Sequence, residues 1–346
     1  MTDPNDKAWR DFRPPMDPAT PQMRVPLQPH HMTARHTATE DLFVLAHFGI
    51  PRVDPRHWAL IVGGLVDHPR RFTLAELKAR PKMVVEAAHS CCGSPLEPAV
   101  PKRRVANVRW SGLDLAALLA ELGVSAHARF LWSYGLDGGE FAGTRSEWFV
   151  KDLPLERLAA DGVMLAYELN DEPLPPEHGF PLRLVVPGYY GTNSVKWLWR
   201  LRLAGMRAPG AFTTTFYNDR PTSTEVAEGV GRVRPVWAQA PEAVIVAPAP
   251  GTSLPAGTDT EVWGWAWGFD EIDAVELSDD EGASWRRAVL APRKGWAWQR
   301  FALSWRPPRA GPCRLSARAW IAAGRGQPAK GARNAVHSVE VEVHPG

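Results

Sequence analysis

The chain of 346 residues is poor in cysteine, with only Cys91, Cys92 and Cys313. Three thiols make a poor disulfide framework, and neighbours such as Cys91 and Cys92 rarely bridge each other, because the closed ring strains the peptide between them. Free thiols in a reducing compartment are the simpler expectation. An excess of one charge is also lacking: 40 Lys and Arg stand against 38 Asp and Glu, a formal net charge of +2. With no dense basic stripe interleaved with aromatics, nucleic acid is not an expected partner. No apolar run approaches the ~20 residues needed to cross a bilayer, so no membrane association is expected. The opening Met1-Thr2-Asp3-Pro4-Asn5-Asp6-Lys7 has neither the basic n-region nor the apolar h-region of a secretory signal. The expected location is cytoplasmic, or periplasmic if a leader has been removed. Metal-finger spacings are missing too, since neither CxxC nor HExxH occurs.

What is present is an ordinary globular balance, 45% hydrophobic and 23% charged, over a length that suits two domains. Frequent Pro and Gly favour loops and tight turns over long helices. Residues 1–35 read as an extended arm. Residues 36–220 mix strands and helices without a regular βαβ repeat, so the expected class is α+β. Short strands are expected at 58–62, 83–88, 130–134, 163–167 and 182–186. Thr73 with Glu76 three residues on is a capping-box pattern opening a short helix. Leucines at 113, 115, 118, 119 and 122 before Gly123 predict a helix, and residues 151–160 a second one. Residues 221–236 read as a linker. From 237 to 346 the texture changes to short alternating strands separated by turn signals, which predicts a β-sandwich of immunoglobulin type. There Trp263, Trp265 and Trp267 share one strand face, either core or a dimer surface.

Two stretches could carry chemistry. In Ala88-His89-Ser90-Cys91-Cys92-Gly93-Ser94-Pro95 a thiol at a strand end enters a tight turn. A thiolate is a soft metal ligand, but simple burial of both cysteines as small hydrophobes fits the same spacing. The segment from His178-Gly179-Phe180-Pro181-Leu182-Arg183 to Ser194-Val195-Lys196-Trp197 mixes glycines with His, Arg and Lys. Such a loop can wrap an anion such as a phosphate or lie solvated after a buried strand.

The ordered set resembles the molybdopterin-binding domain of the sulfite oxidase family. The motifs are Cys91-Cys92-Gly93-Ser94, Trp110-Ser111-Gly112, Leu165-Ala166-Tyr167-Glu168-Leu169-Asn170, His178 through Arg183, and Pro187-Gly188 through Lys196-Trp197. The tail, with Trp263-Gly264-Trp265-Ala266-Trp267 and Asn334-Ala335-Val336-His337, is similar to the family's dimerisation domain. The resemblance implies Cys91 as thiolate ligand to molybdenum and Tyr217 as active-site tyrosine. It implies His47, His178, Arg183, Ser194 and Lys196 as contacts of a single molybdopterin. Cys92 stands where the family usually has alanine. Leu45 and Leu96 stand where sulfite oxidisers carry anion-binding arginines, so Arg103, Arg104 or Arg109, with Lys102, would have to supply charge. The motifs of the resemblance begin near residue 36 with only the arm before them, so no haem is expected. The implied activity is oxidation of sulfite to sulfate by oxygen-atom transfer, with a small anionic substrate and a separate electron acceptor such as a c-type cytochrome, in a homodimer. The alternatives are the same cofactor acting on another substrate, as in reduction of an S- or N-oxide, and a non-catalytic binding protein built on the sandwich.

Overall fold

Strands dominate the chain. A computed structural model describes residues 14–18, 22–24, 26–94, 103–220, 231–330 and 332–346. The only α-helices among them are Leu74–Lys78, Leu115–Ala120 and Ala211–Thr214, at most six residues long. The α+β expectation is therefore corrected to a mostly β chain with few helices. No helix among the described residues is long and apolar enough to cross a membrane. Most of the expected arm, Leu96, Lys102 and residues 221–230 of the expected linker lie outside the described residues.

Two of the expected helices differ instructively. Residues 151–160 form the strand Val150–Pro154 and then the 3-10 turn Leu155–Ala159. Pro154 disfavours helical backbone in Leu153 before it, and the strand pairs antiparallel with Phe130–Gly135. The leucine-rich helix keeps only Leu115–Ala120, because Leu113 and Asp114 end the strand Val105–Asp114. Asp114 caps the helix through Ala117 N–H. The capping box at Thr73 and Glu76 is formed in both directions.

The chain divides into two compact units, and the division falls inside the strands Met83–Ser90 and Val105–Asp114. One unit comprises Met1–Val25, Val44–Val85 and Arg109–Trp237. Its main sheet has the order Val150–Pro154, Phe130–Gly135, Leu198–Ala204, Ala59–Gly64, Arg70–Thr73. Leu131 and Ser133 are buried while Phe130, Trp132 and Tyr134 are half-buried, the period-2 pattern of a sheet covered more on one face. In the same unit Met164–Leu169 pairs with Arg183–Val185. That pairing places Arg183 at the start of the basic loop.

The other unit comprises Pro26–Phe43, Glu86–Val108 and Ala238–Gly346. Two sheets share its main core. One is Glu242–Ala247, Thr260–Trp267, Gln299–Trp305, Val289–Leu290; the other is Ser253–Pro255, His337–His344, Gly311–Ile321, Ile272–Ser278, Arg286–Arg287. Val262 and Ala266 point into that core with Phe301, Val275, Leu315 and Val341. The tryptophans point the other way. Trp265 and Trp267 are buried in a second cluster with Met32, Ala88, Val105 and Trp298, against which Trp263 packs. Trp265 stacks on Trp298 at 4.8 Å and donates Nε1–H to Met32 O at 2.6 Å. This strand is thus buried on both faces, and the chain's own residues cover Trp265 and Trp267.

Candidate functional site

Cys91 follows the strand Met83–Ser90 and is half-buried, whereas Cys92 is buried. The turn is closed by backbone bonds: Cys91 N–H donates to Arg104 O at 2.9 Å, and Ser94 N–H donates to Cys91 O at 3.0 Å. Gly93 N–H donates to Cys91 Sγ at 3.3 Å. The Arg104 guanidinium donates to Gly93 O, and the Arg104 N–H donates to Ser94 Oγ at 3.2 Å. A hydrogen bond from the Cys92 side chain holds the Cys91 thiol below its usual pKa. Gly93 N–H and the charges of Arg104 and Arg333 act the same way, while burial opposes them. A sulfur so placed favours its thiolate form, the form that ligates metals. Among the described residues no cluster of three or more His, Cys, Asp or Glu could hold a metal ion alone.

The basic loop belongs to the other unit. Arg183, 3% exposed, donates from Nη1 to His178 O at 2.9 Å and from Nη2 to Ser194 O at 3.1 Å, with its guanidinium 4.6 Å from the Trp110 ring. Burial lowers its pKa to about 9. Lys196 Nζ donates to Leu45 O and to Glu177 O, both at 2.8 Å. Burial, then the Arg183 charge, brings its pKa down to about 7, against the pull of Asp137 and Glu177. Ser194 Oγ accepts from Val186 N–H at 3.0 Å. The structure therefore gathers His178, Arg183, Ser194 and Lys196 in one loop. The buried Arg183 and the half-buried Lys196 share this loop with the buried oxygens Thr192 Oγ1 and Asn193 Oδ1, which have no hydrogen-bond partner. Asp137 and Glu177 offset part of the Lys196 charge, while Arg183 is buried with no carboxylate acting on it, so the net positive charge of the loop fits an anionic group such as the phosphate of a pterin.

His47 and Tyr217, 170 residues apart, meet in that same unit, with His47 Nε2 2.5 Å from Tyr217 Oη. Phe141, Phe149 and Phe212 surround the imidazole with ring centroids at 4.7, 5.6 and 4.9 Å. Burial, then the Lys196 charge, lowers the His47 pKa to about 4, so the imidazole is neutral at physiological pH. Tyr217 has φ 56°, a left-handed backbone uncommon for a side-chain-bearing residue and frequent at functional sites.

The three candidate arginines separate. Arg103 is 1% exposed and its Nε lies 3.3 Å from the buried Glu242 carboxylate, so its charge faces the interior; this corrects its reading as a substrate contact. Arg109 pairs with Asp171 at 2.9 Å in the other unit. Arg104 stands at the Cys91 turn. Sequence reasoning missed Asp137, buried beside Lys196, whose pKa burial raises to about 7. It also missed Lys151, 1% exposed, 5.6 Å from the Tyr217 ring centroid. A charged residue directly after a strand was the one local signal for Asp137; Lys151 lay hidden in the mistaken helix.

Comparison with known proteins bears on these sets directly. The family model described as the oxidoreductase molybdopterin binding domain matches residues 47–212. Mitochondrial sulfite oxidase of Drosophila melanogaster is 31% identical over 89% of this chain, and sulfite oxidase of Gallus gallus 31% over 78%. The chain belongs to the sulfite oxidase family of molybdopterin oxidoreductases. It spans 59% and 62% of those two relatives' own lengths. Among solved structures it is similar to the sulfane dehydrogenase SoxCD of Paracoccus pantotrophus, with a TM-score of 0.76 and 26% identity over 90% of this chain and 82% of that one. Membership of this family implies a molybdenum-molybdopterin cofactor.

Proposed function

We propose that the chain oxidises sulfite to sulfate by oxygen-atom transfer and passes two electrons to a separate acceptor, such as a c-type cytochrome. The observation that carries the reading is the Cys91 turn, which offers one half-buried sulfur held toward its thiolate form. Molybdenum with one pterin would supply the two-electron oxygen-transfer chemistry. Cys91 would give the metal its protein ligand. Arg183 and Lys196 would hold the pterin and its phosphate, with His178 and Ser194 shaping the loop around them. His47 keeps Tyr217 in place; a neutral imidazole with its proton on Nε2 would donate to Tyr217 Oη and leave the tyrosine O–H free to donate to a substrate oxygen. Electrostatic stabilisation of the anion falls to nearby cations. Steady-state turnover of sulfite with ferricyanide by the molybdenum-loaded protein tests this. Absence of turnover refutes sulfite as substrate. Absence of bound molybdenum and pterin instead supports a non-catalytic protein.

The likeness to a sulfane dehydrogenase, together with Leu45 where sulfite oxidisers carry arginine, favours a second reading with a sulfane sulfur as substrate. The same assay with sulfane compounds separates the two. The reading further takes residues 36–220 as the catalytic stretch and 237–346, which packs with residues 26–43 and 86–108, as the immunoglobulin-like dimerisation stretch of a cytoplasmic homodimer. Sedimentation of the purified protein tests the dimer.

A further inference from the structure

Asp137 is a carboxyl only 4% exposed that takes no part in the chemistry described above. It follows the strand Phe130–Gly135, and its own backbone N–H is the hydrogen-bond donor that acts on its side chain. Among the described residues it forms no salt bridge. Gly135 makes room for it. A Cβ built there would lie 2.4 Å from Asp137 Oδ1 and 2.9 Å from Lys196 O, so the carboxyl fills the space of a missing side chain beside the Lys196 backbone. Backbone bonds fix the arrangement: Leu136 N–H donates to Trp197 O at 2.9 Å, and Phe149 N–H donates to Asp137 O at 2.7 Å. Lys196 Nζ itself meets two uncharged carbonyl oxygens, those of Leu45 and Glu177. The Glu177 carboxylate is shared with Arg24 at 3.1 Å. Arg183 and His47, which also act on or feel the Lys196 charge, bring no negative charge to it. Of the other charges near Asp137 in the chain, Lys151 is turned to Phe212 O at 3.0 Å, and Glu140, Arg145 and Glu147 are exposed. Asp137 is thus the carboxyl left to balance Lys196.

We propose that Asp137 is the counter-ion of Lys196 in the cofactor-free chain, and that it yields this place to the cofactor's phosphate and takes up one proton from solvent. The inference rests on the proposed role of Lys196 in holding that phosphate. An anion arriving at Lys196 compensates the ammonium and leaves Asp137 as a second negative charge nearby. A carboxylate that is away from water and beside like charge is the group that protonates. Burial has brought Asp137 close to that point already: its pKa stands at about 7 with Lys196 opposing the shift. Above that pH, loading binds a proton that the cofactor-free chain does not hold. Cofactor affinity therefore falls as pH rises, by up to about tenfold per pH unit for this proton. Lys196, whose own pKa is lowered to about 7, adds a second proton to the same linkage. Asp137 is a positioning residue, acting on the cofactor through Lys196.

Infrared spectra of the full chain, prepared with and without cofactor at about pH 8, read the Asp137 proton directly. The loaded parent should show a carboxylic-acid carbonyl band that the cofactor-free parent lacks, and Asp137→Asn should lack it in both states. Isotope-labelled aspartate in the parent identifies the band if the variant does not fold. Cofactor retained after dialysis, measured as pterin released per chain, should fall with rising pH, and less steeply in Asp137→Asn by about tenfold per pH unit. A loaded parent without the band overturns the proposal, as does a band of equal strength in loaded and cofactor-free chains. An unchanged pH slope in folded Asp137→Asn overturns it too. Lys196→Met separates this inference from the reading beneath it. Parental pterin content in that variant removes Lys196 as holder of the phosphate, and the proposal with it. Loss of pterin in that variant, with no band in the loaded parent, leaves Lys196 standing and refutes the role of Asp137.

Discussion

Gly179→Ala probes the cofactor loop without deleting a charge. Gly179 sits at φ 109°, a region that side-chain-bearing residues rarely adopt, and a Cβ there would lie 3.1 Å from Lys196 Cα and Cβ and 3.2 Å from Arg183 Cβ. Forcing alanine into that backbone region costs on the order of 1–3 kcal/mol. The crowded contacts add overpacking of about 1–3 kcal/mol. Lys196 must yield through its backbone, so the strain is delivered to the residue that bonds Leu45 O and Glu177 O. Gly143 is the control, because it has φ 72° with nothing within 4 Å of an added Cβ. Gly143→Ala incurs only the left-handed backbone term, about 1–2 kcal/mol. Thermal melts should rank Gly179→Ala well below Gly143→Ala. Pterin released on denaturation, measured by fluorescence per chain, should fall roughly tenfold in Gly179→Ala, corresponding to about 1.4 kcal/mol of lost binding, and stay at the parental level in the control. Parental pterin content in Gly179→Ala would refute the assignment of Arg183 and Lys196 as the residues that hold the cofactor.

Further outcomes follow from the same structure. Cys91→Ser should keep the near-ultraviolet circular dichroism of the parent and abolish turnover; full retained activity removes Cys91 as ligand. The folded chain keeps His47 neutral down to about pH 4, whereas an unfolded histidine binds its proton near 6.5. Folded stability therefore falls as pH drops from about 6.5 to 4, by about 3 kcal/mol at full extent. His47→Gln should flatten that part of the urea-midpoint-versus-pH curve, and an unaltered slope contradicts the burial argument. Glu242→Leu strands the Arg103 charge in the interior and should lower stability to urea by about 3–5 kcal/mol, most of it regained in the double variant with Arg103→Met. Equal losses in the single and double variants would show that the pair is not what anchors this segment.

Local signals were readable where they were local in origin. The Thr73 and Glu76 capping box and the apolar runs that became Ala59–Gly64 and Phe130–Gly135 need only their own sequence. The helix expected over 151–160 shows the opposite. Its leucines suited either period, and the strand Phe130–Gly135 that draws residues 150–154 into the sheet is remote in sequence. The gathering of Arg183, Ser194 and Lys196 was visible as a basic, glycine-rich segment, but that their donors turn onto backbone carbonyls was not. The three arginines at 103, 104 and 109 look alike as letters. Strand alternation and partners far along the chain, Glu242 for Arg103 and Asp171 for Arg109, separate them.

The tryptophan strand has a consequence for inheritance. Its second face is covered by Met32, Ala88 and Val105, and the segment that carries Cys91 is bonded to the tail by Ala88 N–H to Trp296 O and by Gln239 Nε2 to Ala88 O. A recombination breakpoint near residue 237 would therefore cut through a packed unit. The transplanted tail would arrive with bare tryptophans, and the remaining piece would keep its cysteine without the sheet that supports it. Tails can be exchanged between relatives only if residues 26–43 and 86–108 are compatible with the newcomer, so the sulfur and the distant carboxyl-terminal strands are constrained to change together.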